Sequence, residues 1–290
     1  MPSTRDIRRR IRGVKNIKQV TRAMNMIAAA RLRRAQTKAE SARPYAERLR
    51  EILQDVQASG VGGRHPLLAR REVKKIGVLL VTSDRGLAGA FNATIIRETD
   101  HFLREQTTEV GLVTVGKKGR DHFRARGVEI DQHFVQPSRD VRLEELGAIS
   151  KRIIADYSNG RYDRVYLAFS EFKSVLKSVA SVIQLLPIEE KVNGHAATGH
   201  TATYQFEPES EELLNTLLPQ YVEVLIYRAL VESLASEQAA RMIAMKAATD
   251  SATDMIESLT REYNRVRQTS ITTQILEVVS GAEALKHGGN

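Results

Sequence analysis

The sequence predicts an α/β protein with long helices, in which N- and C-terminal helices pair as an antiparallel coiled coil and an α/β domain is inserted between them. Three observations carry this reading. From Tyr221 to Ser280 there are 60 residues with neither Pro nor Gly, a run that spans about 90 Å as one helix. Residues 7–35 repeat small or apolar side chains at steps of three and four, the spacing of a helix with one apolar stripe. Between about Val73 and Lys191, short apolar runs alternate with amphipathic ones, which implies a mainly parallel sheet covered on both faces.

The C-terminal run is rich in helix formers, with 8 Ala among its 60 residues. Its 6 basic and 8 acidic residues exclude a membrane span. Glu209 to Glu212 place negative charge where a helix start prefers it, so the helix is expected over 209–286. One seam reads Met245, Ala248, Ala252, Met255, Leu259, Tyr263 and Val266, close to a heptad. A helix this long needs a partner, and the N-terminal region, 1–60, is the candidate. Ser3 or Thr4 can cap it, with Asp6 in the first turn. Its stripe runs Ile7, Ile11, Val14, Ile17, Thr21, Met24, Ala28, Leu32, Ala35. Pro44 is expected to kink or interrupt the helix, with a second helical stretch carrying Leu49, Ile52, Leu53 and Val56. Ala28 to Ala30 are expected to meet Ala248 and Ala252 at a close-packed seam.

The Gly-rich stretch from Ser59 to Pro66 marks a domain boundary. Beyond it, strands are expected at Ile76–Thr82, Val110–Val115, Val128–Phe134, Val165–Ser170 and Val179–Leu186. Helices are expected at Phe91–Gln106, Lys118–Arg126 and Val141–Tyr157. The result is a Rossmann-like α/β domain over 73–191. Asn193 to Thr203 is a small-residue loop, followed by an extended Tyr204–Pro208.

There is no Cys, so no disulfide frame, thiolate metal site or thiol switch exists. The net charge of +9 is unevenly placed. Residues 1–50 hold 15 Lys or Arg against 3 Asp or Glu, and the other 240 residues hold 29 against 32. The basic first segment points to an acidic partner.

Catalytic chemistry is not evident. Gly111 to Lys118 nearly fits a phosphate loop, but Lys118 stands where Ser or Thr should hold magnesium. The residues between its glycines are also the expected strand rather than a loop. The turn Ser83-Asp-Arg-Gly-Leu-Ala-Gly89 follows the first strand, where such sheets bind ligands, yet it lacks a dinucleotide fingerprint. Its simpler role is a tight turn with Asp84 as a helix cap. His195 and His200 lack the further ligands a metal site needs. The far end of the long helix is the odd feature. Ile271, Ile275, Leu276, Val278 and Val279 cover more of its circumference than one partner stripe requires, which marks an interaction site.

At this point the chain resembles the γ subunits of F-type ATP synthases over nearly its whole length. The resemblance rests on Thr21 to Gln36, on Thr82-Ser-Asp-Arg-Gly-Leu-Ala-Gly-Ala-Phe-Asn92, on Glu171 to Ser174 and on Leu185-Leu-Pro187. It is densest from Phe206 to Ala284, with Ser233-Leu-Ala-Ser-Glu237, Ala239 to Met242 and Arg267-Gln268. Ile271-Thr-Thr-Gln-Ile-Leu-Glu-Val-Val-Ser-Gly-Ala282 is similar to the family's C-terminal pattern, with Gln274 in place of its usual Glu; Asn25 likewise stands where many members carry Glu.

The resemblance implies a non-catalytic rotor shaft with no cofactor. Met24, Arg31, Arg33 and Arg34 would face acidic β-subunit loops. Arg267 and Gln268 would make polar contacts near the tip, and Ile271, Thr272, Ile275, Leu276, Glu277 and Val279 would turn inside a sleeve of α and β subunits. The α/β domain would meet an ε subunit and a membrane c ring. With no organelle targeting peptide, the expected setting is the cytoplasmic face of a bacterial plasma membrane. Two rival readings are a basic coiled-coil nucleic-acid binder, which lacks aromatics among its basic residues, and a nucleotide-dependent α/β enzyme, which lacks a competent phosphate loop.

Overall fold

A computed structural model describes residues 3–58, 65–137, 141–188 and 210–287. The element order is α1 (Thr4–Ala58), β1 (Lys75–Val81), α2 (Phe91–Glu105), β2 (Glu109–Val115), α3 (Lys117–Ala125), β3 (Ile130–Phe134), α4 (Leu143–Ser158), β4 (Arg164–Ser174), β5 (Lys177–Leu186) and α5 (Ser210–His287). Every expected strand and helix of the insert is present, with ends shifted by a few residues. The expected loop at 193–203 with His195 and His200, the extended segment at 204–208, and residues 59–64 lie outside the described residues. The chain divides into two compact units, one of residues 1–27 with 242–290 and one of Ala28–Arg241.

In the larger unit, the five strands lie in the order β3-β2-β1-β4-β5. β1 runs parallel to β2 and β4, β2 parallel to β3, and only β5 is antiparallel, beside β4. Alternate residues of each strand point to opposite faces, so the sheet has two cores. Val78, Leu80, Leu112 and Ala168 pack with Ile95 and Ile96 of α2 and Phe123 of α3. Leu79, Val81, Val113, Val115, Leu167 and Phe169 face the other way. There they pack with Leu146, Ile149 and Ile153 of α4, Leu218, Val222 and Ile226 of α5, and Leu49 and Leu53 of α1. The sheet is therefore covered by short helices on one face and by α4 with parts of the long helices on the other.

The smaller unit is an antiparallel helix pair. Ser3 is the cap: its Oγ accepts from the Asp6 N–H at 3.2 Å and donates to the Asp6 carboxylate at 2.8 Å. The Arg8 guanidinium donates to the Tyr263 hydroxyl and stacks on its ring at 5.3 Å. The Thr21 and Thr249 hydroxyls bond each other at 2.7 Å, and the Asn25 side-chain amide donates to the Met242 carbonyl at 2.7 Å. Partners fall in number along α5 as they rise along α1, which defines the antiparallel register.

Four expectations change here. Pro44 does not interrupt α1, which is one helix across it: the lost backbone bond costs a single rung, while buried Leu49 and Leu53 hold the next turns to the core. Ile17 is 56% and Met255 53% exposed, so neither lies on its seam. On α5 the stripe runs through Thr249, the buried Ala252, Ile256, Leu259, Tyr263 and Val266, whose regular alternation of three and four keeps it aligned where the step to Met255 would rotate it away. The register places Ala248 and Ala252 opposite residues before Asn25, so Ala28 to Ala30 are not their partners. Asp84 caps α3 rather than the helix that follows its own turn, its carboxylate accepting from the Lys117 N–H at 2.9 Å.

Candidate partner-contact surfaces

α1 begins at Thr4, and Arg8 already reaches Tyr263. α5 continues to His287, so its last stretch has no helix of this unit beside it. From residue 267 to residue 282 every side chain is exposed. That includes Arg267, Gln268, Thr272 and Glu277, and the apolar Ile271 at 48%, Ile275 at 57%, Leu276 at 60%, Val278 at 72% and Val279 at 53%. A run of bare apolar side chains in water is costly and marks a surface that another molecule covers.

The basic candidates sit on α1. Met24 and Arg31 are half-buried, while Arg33 and Arg34 are exposed. The neighbouring Leu32 and Ala35 are buried, and they fix the helix so that the two exposed guanidiniums face water. One apolar stripe escaped sequence reasoning. Ile17, Val20 and Ile27 are each more than half exposed, and with Met24 they recur at steps of three, four and three, on one face of the helix. The spacing assigns Ile17 and Met24 to the partner stripe, and Val20 and Ile27 are hidden among the dense basic residues around them; a helix with two apolar faces has one more than a single partner needs.

The phosphate-loop candidate resolves into architecture. Gly111 lies inside β2, where a Cβ would come within 2.1 Å of the Asp131 carboxylate and 2.7 Å of the Tyr162 ring. The first amides of α3 are all engaged: Lys117 N–H by Asp84, Lys118 N–H by the Ser83 carbonyl at 3.0 Å, and Gly119 N–H by the Thr82 hydroxyl at 2.9 Å. The helix N-terminus that would hold a phosphate is thus filled by residues 82–84. Gly116 turns into it with φ +92°, where a Cβ would meet the Thr82 carbonyl at 2.1 Å. Among the described residues, no group of side chains could hold a metal ion, and no helix is long and apolar enough to cross a membrane.

A family model described as ATP synthase matches residues 3–285. The ATP synthase gamma chain of Desulfitobacterium hafniense is 46% identical over 286 residues, covering 99% of this chain and all of the relative. That of an Anaeromyxobacter species is 47% identical over 292 residues, again covering 99% and 100%. Among solved structures, the central stalk and c ring of the Tetrahymena thermophila mitochondrial ATP synthase contains a chain that is 29% identical with a TM-score of 0.61, covering 79% of this chain and 99% of its own length. A chain of the Euglena gracilis mitochondrial ATP synthase matches with a TM-score of 0.68 at 16% identity, covering 98% and 95%, and so attests the fold. On the family match and these full-length relatives, the chain belongs to the ATP synthase gamma chain family.

Proposed function

We propose that this chain is the central rotor shaft of an ion-translocating F-type ATP synthase, coupling rotation of a c ring to conformational change at the β subunits. The observation that carries the proposal is the bare end of α5, where residues 267–282 are all exposed and include five large apolar side chains. Non-directional apolar contacts let such an end turn within a sleeve, where fixed hydrogen bonds would hold it. Ile271, Thr272, Ile275, Leu276, Glu277 and Val279 form that bearing, with Arg267 and Gln268 as polar contacts at its base. Met24, Arg31, Arg33 and Arg34 meet acidic loops of the hexamer, and the stripe of Ile17, Val20 and Ile27 joins them on α1.

The shaft drives chemistry without performing it. An asymmetric shaft makes different contacts with each β subunit, and only such differential contact shifts a conformational equilibrium. Nucleotide binding and catalysis belong to the α and β subunits; the filled amides of α3 support that assignment. The larger unit meets an ε subunit and the c ring, and the complex sits on the cytoplasmic face of a bacterial plasma membrane. The test is reconstitution with cognate α and β subunits. A complex holding one copy of this chain per hexamer, with ATPase activity that the chain alone lacks, is the expected result. Failure to assemble with well-folded subunits would remove the rotor role, and salt-dependent nucleic-acid binding would then be measured.

A further inference from the structure

Doubly wound sheets bind ligands outside the carboxyl ends of their strands, at the point where strand order reverses. In the order β3-β2-β1-β4-β5 the reversal lies between β1 and β4. In this chain that crevice is occupied by α5. The Ser233 hydroxyl accepts from the Ser170 N–H at 3.1 Å, and the Ser236 hydroxyl donates to the Ser170 carbonyl at 3.2 Å. Beyond the end of β1, the Asp84 N–H donates to the Gln136 side-chain carbonyl at 3.2 Å. The Gln136 amide donates to the Glu237 carboxylate at 2.7 Å. Glu237 pairs with Arg241 at 2.6 Å, and Arg241 donates to the Gly86 carbonyl at 3.2 Å. Ser233, Ser236, Gln136, Glu237 and Arg241 are all buried.

The stretch of α5 before Ser233 packs on the sheet through Leu218, Val222, Ile226 and Leu230. Apolar contacts are non-directional and do not by themselves fix the angle of a helix about its own axis. Buried hydrogen bonds do, because a group pulled off its partner inside protein carries its full desolvation penalty. The polar lock therefore supplies what the apolar packing lacks, a single angular setting of α5 on the α/β domain.

We propose that this lock, closing the switch-point crevice with the chain's own helix, is the joint that transmits torque between the α/β domain and α5. Asp84, Gln136, Glu237 and Arg241 are positioning residues for coupling. The proposal rests on the rotor reading. It requires the joint to stay closed throughout the turnover of the complex.

Two measurements on the membrane-bound complex test it. The chain has no Cys, so S170C/S233C gives one defined pair across the joint. After oxidation with copper phenanthroline, ATP hydrolysis and ATP-driven proton pumping should each stay within about twofold of the reduced sample. A loss of about tenfold that a thiol reductant restores would show that the joint opens during rotation, and would overturn the proposal. Separately, Gln136→Leu removes the bonds to Asp84 and Glu237 at nearly constant volume. ATP hydrolysis should stay within about twofold while the steady proton gradient falls about threefold or more, a split that a general loss of folded protein does not produce. Glu237→Gln, which keeps the shape beside Arg241, should give the same split. Both variants holding full gradients at full ATPase would overturn the assignment. If the unmodified chain fails to assemble, the rotor reading falls and this proposal with it.

Discussion

A single carboxylate of β3 holds the turn before β4 across the amino ends of β1 and β2. The Asp131 carboxylate accepts from the Tyr162 hydroxyl at 2.6 Å and pairs with the Arg161 guanidinium at 2.5 Å. The Tyr162 ring lies where a Cβ at Gly77 or Gly111 would come within 2.8 or 2.7 Å, so both strands are bare there to admit it. Burial opposes the charge on Asp131, but the Tyr162 and Arg161 donors outweigh it and hold the carboxyl below its usual range. Burial, then the same carboxylate, pushes the Tyr162 hydroxyl far up. The linkage has a definite sign. A depressed carboxyl contributes stability that is complete above the ordinary carboxylate range, about pH 4, and is lost as pH falls through the depressed value. Asp131→Asn should therefore lower stability at pH 7 by about 1–3 kcal/mol, the scale of a lost charged hydrogen bond. It should also flatten the acid limb of a urea-stability profile followed from pH 7 down to about pH 2, through the region below the ordinary carboxylate range where that stability is lost. An acid limb unchanged from the native chain would mean that Asp131 is not a source of the pH dependence.

At the level of elements, the helix pair makes the sharper test. Ala252 is 6% exposed on α5 within the smaller unit, next along the seam from Thr249, whose hydroxyl bonds Thr21. Ala252→Leu inserts three heavy atoms where the helices approach, and overpacking of this kind costs about 1–3 kcal/mol. The melting temperature of the isolated chain should fall. Asp250→Leu, on an exposed neighbouring position, should leave it within error; equal effects at both sites would rule out a close-packed seam at Ala252. The existence and type of the elements were legible because periodicity is a property of the chain itself: β1, β2 and α2 repeat the pattern their burial requires. The register was not, since it depends on pairs such as Asn25 with the Met242 carbonyl, and a backbone carbonyl leaves no mark in sequence. The role of Asp84 was hidden for the same reason. Its partner, the Lys117 N–H, comes from a helix 33 positions away, while proximity in the chain pointed to the helix next door. The contact surface was half legible. The apolar end of α5 stood out as excess hydrophobicity on a helix with one partner, whereas the second stripe on α1 was masked by the dense basic residues around it.

For the whole molecule, the excess basic charge is concentrated in the first 50 residues, and that placement predicts how coupling responds to salt. The first 50 residues carry 15 basic and 3 acidic side chains, while the remaining 240 carry 29 and 32. Arg33 and Arg34 project into water from α1, with Arg31 half-buried beside them. Pairs formed by exposed charges with a partner are screened over about 8 Å at physiological ionic strength and over about 3 Å at 1 M. Contacts made by the apolar end of α5 are strengthened rather than weakened by salts excluded from protein surfaces. Replacing Arg31, Arg33 and Arg34 by Ala should leave the isolated chain folded, because the buried Leu32 and Ala35 that hold this turn are untouched. In the assembled complex the triple variant should lower ATP-driven proton pumping at low salt. Raising the salt should then bring the native complex toward the variant's level, while the variant changes little. Circular dichroism of the free chain checks the first expectation, and pumping titrated against potassium chloride checks the rest. Equal pumping by both complexes at low salt would remove these arginines from the coupling path and leave α1's exposed stripe of Ile17, Val20 and Ile27 as the surface that meets the hexamer.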